Sequence, residues 1–147
     1  MIKFIKGVLP YYYKLSDKTK VGDSKLIRVR INPDYQDNDA VLAHEETHVL
    51  QWYVGCFIGL VLAVAVYWLT LSFNTAYWVG LIGICSKDLL YTFSKKARLY
   101  MEVSAYRAQM KKERVDYAEL YAKYLSESDS YKLDVTYDEA LKLLRKS

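Results

Sequence analysis

Histidine is scarce in this chain: there are two, His44 and His48, four residues apart. Cysteine is equally scarce. Cys56 and Cys85 make no C-x-x-C pair, which excludes a thiol-built zinc ribbon or a redox motif, and both read as buried free thiols. No dense basic stretch accompanies the net charge of +4, so a nucleic-acid footprint is not expected. The 15 tyrosines are spread through the chain without an RNA-binding signature. The amino-terminal run MIKFIKGVLPYYYK is too short in its apolar part, and too interrupted by lysine, for a signal peptide. A disordered chain is excluded by a composition that is 52% hydrophobic. At 147 residues the length suits a single domain, 1–147.

Charge is missing where it matters most. Residues 47–86 contain no Asp, Glu, Lys or Arg. That is about twice the length one membrane-spanning helix needs. Val49 to Leu71 is a strong candidate span. The second arm, from Phe73, reaches spanning length only by including Lys87 and Asp88, which must neutralise each other or snorkel toward the surface. Trp52 and Tyr53 open the first arm and Tyr67 and Trp68 close it. Tyr77 and Trp78 open the second, with Tyr91 and Phe93 near its end, an arrangement expected of interfacial belts. The expectation is an apolar helical hairpin over 49–94 that enters a lipid bilayer; a hairpin buried in protein is the alternative. All 21 lysines and arginines lie outside the uncharged stretch, so the positive-inside tendency puts both arms in the cytoplasm. Gly55, Gly59, Gly80 and Gly83 are candidate contacts for a homo-oligomer formed through the hairpin.

Against this background stands His44-Glu45-Glu46-Thr47-His48, which fits H-E-x-x-H. On a helix that spacing puts two imidazoles on one face, one turn apart, as zinc ligands. Glu45 then falls beside the metal, where it can deprotonate a bound water. Manganese or cobalt suits the same donors. A catalytic zinc takes three protein ligands. No further histidine exists, so the third is a carboxylate or a cysteine. Glu102 stands out, because small Ser104 and Ala105 beside it let two helices approach closely. His48 and Glu102 can share an ion only if the chain between them crosses a bilayer an even number of times.

The rest reads coarsely. Lys25 to Ile31 (KLIRVRI) alternates as a strand, whose edge is a candidate for binding an extended substrate. Leu9 to Tyr13 is either a short strand or an interfacial patch. Asp37 or Asp39 is expected to cap the motif helix, which runs unbroken into the apolar arm. Helices follow over 97–112 and up to Leu125. Thr136 with Glu139 forms a capping box for a last helix ending near Arg145.

The motif HEETH, hydrophobic helices after it, and the later EVSAYR together resemble the HtpX class of membrane-embedded gluzincin proteases. They are similar also to short zinc-peptidase-like proteins of bacteriophages. The likeness covers roughly residues 40–107. It departs at Val103, where that class usually has an aromatic residue, and at Tyr106, where it has an aspartate. The two membrane helices that precede the motif in that class are missing as well. The resemblance implies His44, His48 and Glu102 as zinc ligands and Glu45 as general base, in an endopeptidase acting on polypeptides at the membrane. Tyr106, Arg107 and Tyr100 are the candidates for stabilising the oxyanion. The expected fold is mostly α with a small N-terminal β element: a minimal gluzincin-like domain with the hairpin inserted. A non-catalytic, zinc-stapled membrane protein is the competing expectation.

Overall fold

The computed structural model describes residues 11–14, 21–35, 37–127 and 131–146. The fold is mostly helical with a small N-terminal sheet. Strands β1 (Tyr11–Lys14), β2 (Gly22–Lys25) and β3 (Arg28–Ile31) are ordered β1-β3-β2. β3 pairs in parallel with β1 and antiparallel with β2. The expected strand over 25–31 is therefore corrected. Its first residue ends β2, and the chain turns back at Leu26, which adopts a left-handed φ of 53°. The alternation of KLIRVRI runs across this tight turn, and no Asn-Gly or Asp-Gly pair marks it. β3 is the central strand, so the edges of the sheet belong to β1 and β2. Arg30 of β3 grips Asp23 of β2 through Nε at 2.6 Å and through Nη2.

Val29 and Ile31 are buried against Val41, Leu42 and Val49 of helix α1 (Asp39–Thr70). The cap of α1 is Asn38, whose side chain accepts from the amides of Ala40 (2.9 Å) and Val41 (3.1 Å). Asp37 and Asp39 do not play that part. Asp39 is instead the first helical residue, where its charge favours the N-terminal dipole. With no proline inside, the 32 residues of α1 continue for about 48 Å. Leu71 then closes it in the left-handed region, at φ 52°. Ser72 caps α2 (Phe73–Phe93), so Leu71 and Ser72 alone join the two arms.

Small residues let the two arms touch. A methyl group at Gly59 would collide with the Cα of Gly83, and one at Gly83 with the Cα of Gly59. Gly59 and Gly83 thus serve the close approach of the two arms within the chain. Among the described residues, one helix, α1, is long and apolar enough to cross a membrane, with a mean hydropathy of 2.2 over its best window.

Helix α3 (Lys95–Glu113) returns beside the first half of α1. Helices α4 (Ala118–Glu127) and α5 (Tyr137–Arg145) close the domain over a core that includes Val103, Tyr106, Tyr121, Leu125 and Leu144. The capping box of Thr136 and Glu139 is present, with Glu139 N to Thr136 Oγ1 at 3.3 Å and Thr136 N to Glu139 Oε2 at 3.1 Å.

Candidate metal centre

His44 and His48 lie one turn apart on α1, before its apolar stretch, and the hairpin carries the chain back so that Glu102 on α3 faces both. His44 Nε2 is 3.5 Å from Glu102 Oε2, and His48 Nε2 is 3.4 Å from Glu102 Oε1. One donor atom from each residue lies within 4.8 Å of the other two, and all three side chains are buried. This group can hold a metal ion.

Hydrogen bonds fix how His48 presents itself. Gln51, on the next turn of α1, donates from Nε2 to Met101 O (3.1 Å) and to Ser104 Oγ (2.6 Å). A backbone carbonyl only accepts, so this amide nitrogen is oriented toward α3 and Oε1 must face His48. His48 Nδ1, 3.0 Å from Gln51 Oε1, therefore carries the proton. Its Nε2 lone pair is left pointing at Glu102. Such partners orient metal-bound imidazoles. Replacing Gln51 with alanine is expected to weaken zinc binding about 10- to 100-fold, measured by titration calorimetry. An unchanged affinity would remove Gln51 from the site.

Glu102 has its own support. Tyr91 on α2 donates its hydroxyl to Glu102 Oε1 at 2.7 Å. Burial would raise the carboxyl's proton affinity, but His44 and His48 in their protonated forms outweigh it and hold Glu102 well below the usual range. Burial likewise disfavours a charge on His48, yet Glu102 overcomes it and pulls the imidazole's pKa up. The field between the three side chains favours positive charge. Glu102 Oε2 makes no hydrogen bond among the described residues, which leaves it for an ion.

Glu45 sits beside the triad, 7% exposed, with Oε2 making no hydrogen bond among the described residues. Burial dominates its titration and pushes its pKa up. The two histidines oppose that shift, and Glu102 and Asp23 add to it. The edge strand β2 passes close by: a Cβ at Gly22 would lie 2.9 Å from Glu45 Oε1. A side chain at this position would have to push the Glu45 carboxylate aside. A cavity of about 850 Å³ opens between β2, the ligand set and α2, and Tyr106 and Tyr131 border it.

The oxyanion candidates divide. Tyr106 lies edge-on to His44, with ring centroids 4.6 Å apart, and its hydroxyl is 2.7 Å from that of Tyr131. Arg107 is corrected: it points away and donates to the carbonyls of Leu143 and Leu144, capping the end of α5. Five helical positions from Glu102, it falls on another face of α3. Tyr100 is 51% exposed and does not line the cavity.

Sequence reasoning missed Gln51, Tyr91 and Tyr131. Only Gln51 carried a local signal, standing three residues after His48 on the same helix. The other two come together through the hairpin and a distant loop. Arg98 binds both ends of that arrangement, donating to Tyr91 O (2.7 Å), Thr92 O (2.9 Å) and Tyr131 O (2.9 Å). Compared with protein families, with curated proteins and with solved structures, the chain finds no match.

Proposed function

We propose that this chain is a zinc-dependent endopeptidase working at a membrane surface. One observation carries the reading: buried Glu45, its Oε2 making no hydrogen bond among the described residues, stands next to three convergent ligand side chains in an open cavity. Two imidazoles and one carboxylate are donors that suit zinc, and manganese or cobalt fits them too. A bound zinc would supply Lewis acidity for the scissile carbonyl and for the attacking water. Glu45 takes one proton from that water and hands it to the leaving amine as the C–N bond breaks. The hydroxyl pair of Tyr106 and Tyr131 is the best-situated donor for the developing oxyanion. The outer edge of β2 offers an extended peptide its backbone hydrogen bonds, the part first given to the strand over 25–31. HEETH with Glu102 is also the ligand pattern of the gluzincin class that the sequence resembles.

Membrane attachment rests on the hairpin's outer face. Phe57 (67% exposed), Trp68 (73%), Leu69 (84%) and Phe93 (82%) are large apolar side chains left bare on the hairpin, as expected of a face that meets lipid. Lipid covering α1 and α2 leaves both basic arms, and the metal centre with them, on the cytoplasmic side.

The test uses the full chain in detergent with an unfolded polypeptide as substrate. Cleavage is expected, abolished by a chelator and restored by added zinc. A protein that binds zinc and cleaves nothing would instead be a stapled structural protein, with the ion merely joining α1 to α3.

A further inference from the structure

Lys87 has no place in the chemistry above, yet α2 keeps it in a helix that is otherwise uncharged up to Ser86. It does not snorkel to the surface, for its exposure is 6%. Instead it lines the same cavity as the metal ligands. Its ammonium lies 3.5 Å from Asp88 Oδ1 and 5.4 Å from the centroid of the Tyr91 ring. Among the described residues these are one long ion pair and one ring face for a group with three donors. A buried ionisable group in a lipid-facing helix is costly, and such groups are kept where they serve a site.

Position indicates what Lys87 can reach. Tyr91, whose hydroxyl touches Glu102, follows it by one helical turn on the same face. Lys87 therefore stands about 6 Å deeper along the hairpin than the residue that contacts the ligand set. An extended peptide advances about 3.4 Å per residue, so this is the reach of one or two residues. Lys25 on β2 is exposed, which makes Lys87 the buried cation among the described residues lining the cavity.

We infer that Lys87 is a specificity residue that binds a carboxylate of the substrate peptide, on an acidic side chain or at a free C-terminus, near the bond to be cut. The hydrolase reading supplies the peptide; the carboxylate follows from the buried ammonium. Charge-assisted contacts of this kind outweigh neutral ones, and a preference of about tenfold or more is expected.

The experiment titrates fluorescein-labelled alanine-rich peptides against the zinc-loaded full chain in detergent. The peptides carry a single Glu or Gln, and a free or amidated C-terminus. Tighter binding of the Glu peptide identifies an acidic side chain as the ligand; tighter binding of the free-ended peptide identifies the terminus. Lys87→Gln is expected to collapse the preference and Lys87→Arg to keep it. Wild-type protein that binds all four peptides alike overturns the inference, whatever the variants do. So does a preference that survives Lys87→Gln. Carboxylate-selective binding with no cleavage of any peptide overturns the hydrolase reading alone.

Discussion

Glu45→Gln is expected to lower kcat for peptide hydrolysis by about three orders of magnitude while zinc stays bound. General-base catalysis contributes about 10²- to 10⁴-fold, and no other carboxylate among the described residues combines this position with freedom from the ligand set. Glutamine has the same shape, so β2 can still lie against position 45, where Gly22 leaves room for the side chain. It cannot accept the water's proton. Nor should the fold suffer. The native carboxyl already resists ionisation because it is buried, and a neutral amide avoids that penalty. Thermal unfolding of the variant is expected at or above the wild-type temperature. The decisive pair of measurements is kcat and zinc content on one preparation. A variant that cleaves at near the wild-type rate would falsify the proposed role. One that loses zinc along with activity would make position 45 part of the metal site.

Local chemistry was legible in the sequence, and contacts made across the hairpin were mostly not. HEETH announces two imidazoles one turn apart because the α-helical repeat alone sets that geometry. The pairing of Thr136 with Glu139 was readable for the same reason, being complete within four residues. Absence of charge marked the hairpin, since no alternation pattern was needed to see it. Glu102 is the long-range exception: small neighbours at Ser104 and Ala105 signal close helix approach, and Ser104 indeed takes a hydrogen bond from Gln51. Arg107 misled because a basic residue near a ligand suggests electrophilic help. Its target, the carbonyls ending α5, lies far along the chain. The turn at Leu26 was hidden because its residues continue the strand pattern. Asn38 took the cap from two flanking aspartates by position alone, since the residues at 37, 38 and 39 all have suitable side chains.

Glu102→Gln is expected to reduce zinc from about one ion per chain to near none, although the surroundings of the side chain can stay in place. The amide oxygen can still accept the hydroxyl of Tyr91, so the link between α2 and α3 survives. What disappears is the negative charge shared by the two imidazoles, and with it the third ligand. Zinc at a thousandfold excess over its dissociation constant stabilises the native state by about 4 kcal/mol. For a domain of this size that is a rise in Tm of roughly 10 °C. Wild-type protein should show that rise and Glu102→Gln none. Without zinc the two proteins should differ with pH in a defined direction. The folded pKa of Glu102 is depressed, so its stabilising contribution is full above the ordinary value of 4.5 and is lost as pH falls below it. The variant lacks that contribution at every pH, so the gap between ion-free proteins should close in acid. A Glu102→Gln protein that gains as much Tm from zinc as wild type would remove α3 from the metal centre. It would also remove the reason for the second arm of the hairpin to return.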